Sequence, residues 1–177
     1  MRSWLALLSF AALGACTQAS PTREADASEP APLLGEYRAA SDTACKQTGD
    51  VAIERGGLVF AKGVILYTRA LRPRRGYDLV AAEGDSFAAI ALGPAELSVD
   101  LRRVTEQVLS GDAAGLCGAE APTYVALAYE DRAAAVTMLV FAGDEPPGSD
   151  ATQSRLCGAF AYAAPDGART RQGVVWR

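Results

Sequence analysis

Four arginines crowd one short stretch of the chain. Arg69, Arg72, Arg74 and Arg75 lie in TRALRPRR, residues 68–75, around Pro73. Guanidinium groups at this density raise the local potential and suit phosphate headgroups, lipopolysaccharide or an acidic protein partner. The plainer and preferred reading is a solubilising hairpin tip, because Arg far outnumbers Lys throughout the chain. Carboxylates group at Glu130 and Asp131, and again at Asp144, Glu145 and Asp150. Two carboxylates suffice for glycoside hydrolysis, yet the first group falls on an expected turn and the second in a Pro/Gly loop, where solvated charges are expected. The spacing over 144–150 does not match an EF-hand loop, so no metal site is assigned. The chain has no histidine. That removes the usual proton shuttle near neutral pH, and with it Ser-His-Asp triads and His-containing zinc sites. The sequence therefore assigns no catalytic residue and no cofactor.

The cysteines are the other reactive side chains, and there are four: Cys16, Cys45, Cys117 and Cys157. Ahead of Cys16 stand one charge, Arg2, an apolar run over residues 4–13, and the small residues Gly14 and Ala15. The order of charged start, apolar run and small-residue site resembles the signal peptide and lipobox of bacterial lipoproteins. The run is shorter than the roughly 20 residues a membrane-spanning helix needs. The resemblance implies cleavage before Cys16 and lipid on its sulfur and new amino group, which makes the membrane a partner. Thr17 is not the Asp that retains many such proteins in the inner membrane, so the resemblance implies an outer-membrane anchor facing the periplasm. In that oxidising compartment the remaining three cysteines suit one disulfide and one free thiol. Cys117 and Cys157 share a Leu-Cys-Gly context at the starts of two expected strands, and their pairing is the expected bridge. Cys45 bonded to either is the rival arrangement.

The elements that must position these groups read as strands. Residues 1–15 are the expected signal peptide, and 16–32 hold the lipidated cysteine and a tether rich in Pro, Ser, Ala and acidic residues. Such a composition is expected to be disordered, with a reach of roughly 22 Å. Residues 33–177 form the single expected domain, all-β, a small antiparallel barrel or sandwich of about nine short strands. Strands are expected at 51–54, 58–60, 64–71, 77–81, 87–92, 96–104, 123–129, 133–141, 156–163 and 174–176, with 51–54 and 58–60 as edges or one bulged strand. In 96–104, Leu97, Val99 and Leu101 alternate with Ser98, Asp100 and Arg102, which reads as apolar side in and polar side wet. The one expected helix is short, near 104–109.

Two further resemblances bear on function. Gly84-Asp85-Ser86-Phe87 resembles the nucleophile block of GDSL-type hydrolases, but that chemistry needs a downstream His, so a tight turn between two strands is expected here. Leu34-Gly35-Glu36-Tyr37 resembles the first strand of lipocalin-like barrels, with Tyr37 where the family has Trp. It implies an apolar pocket in the barrel mouth. Small all-β envelope lipoproteins also include lysozyme inhibitors, whose Ser-Gly-x-x-Tyr signature this chain lacks. With a formal net charge of −4, the chain has no basic excess of the kind nucleic-acid binders show. The expected role is non-enzymatic binding or inhibition in the cell envelope, with an envelope protein or an anionic surface as partner. The alternative is a lipocalin-like carrier of a small apolar ligand.

Overall fold

Alternating apolar residues at 125, 127 and 129, answered by 136, 138 and 140 on the next strand, give the chain two strands that must bury a common face. The computed structural model describes residues 33–165, so Cys16, the tether and the expected strand at 174–176 lie outside the described residues. Its order is β1 (Gly35–Ala39), α1 (Asp42–Gln47), β2 (Val51–Glu54), β3 (Gly57–Phe60), β4 (Val64–Ala70), β5 (Arg74–Arg75), α2 (Phe87–Ala91), β6 (Ser98–Leu109), β7 (Tyr124–Tyr129), β8 (Ala135–Ala142) and β9 (Arg155–Ala163).

These strands make one antiparallel sheet that closes on itself. Neighbours run β4-β3-β2-β1-β9-β8-β7-β6, and β6 pairs back onto β4. The result is an eight-stranded barrel of successive up-and-down strands, with β5 as an extra strand beside β6. Eight strands leave a lumen just wide enough for side chains to fill. Tyr37, Val51, Ile53, Phe60, Leu66, Val125, Leu127, Met138, Val140, Phe160 and Tyr162 fill it, all buried in one cluster. The expected barrel-or-sandwich alternative thus resolves to a barrel.

A second core lies outside the barrel. The segment between β5 and β6, with α2 in it, folds over the outer face of β6, β7 and β8. There Phe87, Ala88 and Leu97 bury Val99, Leu101, Tyr124, Ala126, Leu139 and Phe141. Phe87 meets Phe141 edge to face, with ring centroids 6.3 Å apart. This cover inverts the expectation for β6. Val99 and Leu101 point outward, under the cover, while Ser98, Asp100 and Arg102 share the inward face, and β7 is buried on both sides. An apolar outer face was unreadable from alternation, which gives the phase of a strand but not which phase faces the lumen.

Three other expectations are corrected. Residues 87–92 are not a strand: Ser86 caps α2, its Oγ accepting from the Ala89 N–H at 3.2 Å, and Leu92 ends the helix in the left-handed region. The stretch 77–81 is not a strand either, and makes only an isolated bridge between Leu79 and Ser86. The helix expected near 104–109 is the end of β6, held extended by its pairing with β4, the pairing that closes the barrel. The unexpected helix α1 has its own cap, Ser41 Oγ accepting from the Ala44 N–H.

Candidate functional site

One end of the barrel is closed by a charge. Arg102 is 1% exposed inside the lumen. Its Nε and Nη2 donate to Asp100 Oδ2 at 3.0 and 2.7 Å, its Nη1 to the Glu54 carbonyl at 2.7 Å, and its Nη2 also to the Leu33 carbonyl at 3.1 Å. The guanidinium therefore ties β6 to the end of β2 and to Leu33, just ahead of β1. Four of the five guanidinium N–H donors are thereby spent on fixed acceptors. Sequence reading placed Arg102 on a wet face; nothing in the local pattern marked it as buried.

The opposite end is closed by α1 and the loop after β6. Thr48, just past α1, donates its hydroxyl towards the Ala44 and Gly49 carbonyls and shares a 2.7 Å hydrogen bond with the Tyr162 hydroxyl in the lumen. Burial, with the nearby negative charge of Asp50, pushes the Tyr162 phenol well above its ordinary value. At this end Cys117 and Cys157 form a disulfide with Cα atoms 5.0 Å apart, as expected. In the β8–β9 pairing, Phe141 faces Leu156 and Val140 faces Gly158, so Cys157 is the extra residue of a bulge. A bulge re-aims a side chain out of the pleat, and here it turns the sulfur to the loop carrying Cys117. Cys45 is free and exposed on α1.

The four arginines do not form a hairpin tip. β4 and β5 both run antiparallel to β6, Ala70 facing Arg102 and Arg74 facing Val99, with one residue bulged out near Arg72 and Pro73. Past Thr68 the strand has left β3 behind, so residues 69–75 form an edge. Arg and Pro are what exposed edges carry to discourage stray pairing. Arg69 and Arg72 are exposed, as is Arg75, whose backbone N–H is held by Asp78 Oδ2. Arg74 is half-buried, turned onto a pocket of about 330 Å³ bounded by Glu145, Pro146, Gly148 and Asp150. The structure thus disperses the cluster over several faces. It adds one member that the sequence did not single out: Arg103 of β6 faces Arg69 directly across the pair.

Among the acidic residues singled out in the sequence, Glu145 serves local structure. Glu145 Oε2 accepts from the Thr152 N–H at 2.8 Å and the Gln153 N–H at 3.3 Å, bonds that brace the loop and hold its carboxyl below the ordinary range. Glu120 pairs with Arg155. Ser86, the expected turn serine, has its oxygen occupied as the cap of α2. A further groove of about 490 Å³ lies against β1, β2 and β3, bounded by Glu36, Arg38, Asp50, Val59 and Pro165. Comparison of the chain with protein-family models, with curated proteins and with solved structures finds no match.

Proposed function

We propose that this protein is a lipid-anchored component of the bacterial cell envelope whose barrel binds or inhibits a partner in the periplasm without catalysing a reaction. The observation that supports surface binding most directly is the filled lumen. Tyr37, Met138, Phe160, Tyr162 and Arg102 each stand within it at 1% exposure or less. Recognition then falls to the outer wall and the loops. The anchor rests on the charged start, apolar run and Leu-Gly-Ala-Cys order at Cys16, and the disulfide suits the oxidising compartment such an anchor implies. The alternative, a carrier of a small apolar ligand, draws on the closed up-and-down barrel, but it needs a pocket of about 300 Å³ or more where those side chains are packed.

Crosslinking in intact envelopes, followed by purification of the native protein, tests the reading. The expected result is an acylated Cys16 at the mature N-terminus, outer-membrane fractionation and one reproducible envelope partner. An unmodified N-terminus in a soluble periplasmic fraction removes the anchor. Recovery of a stoichiometric apolar small molecule in place of a protein partner favours the carrier.

A further inference from the structure

Arg69 and Arg103 break a rule of sheet construction. They lie directly opposite on β4 and β6, both exposed. Their neighbours in register place them on the outer wall, since Ala70 and Arg102 beside them share the inward face with Arg102 buried in the lumen. Like charges at directly opposed positions, with Cβ atoms about 4.5–5.5 Å apart, destabilise a strand pair. Among the described residues neither arginine has an ion-pair partner; the ion pairs are those of Arg102 with Asp100 and of Arg155 with Glu120. Glu106, exposed and opposite Tyr67, is the diagonal neighbour of Arg69 on the same outer wall but makes no ion pair with it. Edge protection accounts for Arg69 and Arg72, but not for Arg103, whose strand is paired on both sides by β4 and β7.

We propose that Arg69 and Arg103 together bind a phosphoryl group on the outer wall of the barrel, with Arg72 on the neighbouring edge contributing to the local potential. Two planar guanidinium forks from adjacent strands can each present paired N–H donors to phosphate oxygens, and the anion's charge offsets the repulsion between them. The side chain of Tyr124, on the far side of Arg103, is not available to compete: it is buried, and its hydroxyl donates to the Asp144 carbonyl. The proposal deepens the binding role proposed above, on which it rests, by naming the chemistry of what is bound. The phosphoryl group has two possible sources, a lipid headgroup or a soluble phosphate.

The test is titration of the full-length native protein, in a nonionic detergent, with inorganic phosphate and separately with short-chain phosphatidylglycerol, at matched ionic strength. Saturable binding of either supports the site, and which one binds identifies the source. Arg69→Gln with Arg103→Gln is expected to weaken that binding about tenfold or more. Arg103→Glu, which turns the like pair into an ion pair, is expected to melt higher than the parent without anion and to lose the response to phosphate. No binding of either anion, or binding undiminished in both variants, overturns the proposal. If the native protein captures an envelope partner while both anions fail, the phosphoryl site falls and the binding role stands. If the phosphoryl group binds but no partner is captured, the reverse holds.

Discussion

Arg102 shows how one side chain can set the end of a barrel. Taking a guanidinium out of water is costly unless its donors find acceptors, and here a carboxylate and two backbone carbonyls take four of the five. Removing one partner of such a pair leaves the others exposed to the penalty. Arg102→Met is therefore expected to lower stability by about 3 kcal/mol, measured by urea unfolding, whereas Arg102→Met combined with Asp100→Leu should recover much of the loss. An equal loss in both variants would mean that the carbonyl contacts, not the ion pair, carry the effect. Tyr162 sets the other end and gives a pH dependence. Its folded pKa is raised, chiefly by burial. The stability it contributes is thus fully present below the unfolded phenol value of about 10 and is lost as pH rises above it. Tyr162→Phe should flatten that alkaline decline, at a cost of about 1 kcal/mol at neutral pH for the lost bond to Thr48.

At the scale of elements, the strands of the barrel wall were legible and the cover over it was not. β7, β8 and β9 fall within two residues of the expected 123–129, 133–141 and 156–163, because long alternating runs bounded by turn residues have one stable use. α2 was misread because Phe87–Ala91 is too short to show a helical period, and its signals were the Ser86 cap and a run of alanines. The arginine stretch was misread because Pro73 marks a bulge as readily as a hairpin tip. The cover also contains a clear local conflict. Leu92 is 92% exposed and takes φ 55° at the end of α2, a conformation that favours Gly and gains nothing from packing here. Leu92→Gly should raise stability by about 0.5–1 kcal/mol, with an unchanged denaturant dependence. Phe87→Ala, in contrast, should cost about 3 kcal/mol or more by emptying the space against Phe141. If Leu92→Gly destabilises instead, the exposed leucine has packing that its exposure does not reveal.

For the molecule as a whole, closure matters more than any one strand. Closure leaves the sheet free edges only where strands overhang, as at residues 69–75, and its last pairings are of long sequence separation: β1 joins β9, and β4 joins β6. Such contacts are entropically slow to form, so a covalent link across the end of the barrel has leverage on the unfolded chain. The disulfide joins residues separated by 40 positions. Loop-closure entropy for a span of that length is worth roughly 4 kcal/mol, and the bridge spans the loop after β6 and the bulge in β9. Its sequence signal was the shared Leu-Cys-Gly context; what the sequence did not contain was the bulge that aims Cys157. Replacing Cys117 and Cys157 by Ala should therefore lower unfolding free energy by about 2–4 kcal/mol while leaving the barrel folded, because the buried cluster does not include the sulfurs among its fully buried members. Denaturation read by far-UV circular dichroism gives the loss, and hydrogen exchange gives its location. Exchange should quicken first in the loop between β6 and β7 and in β9 near the bulge, with β7 and β8 still protected. Faster exchange spread evenly over all the strands would instead make the disulfide a condition of barrel closure.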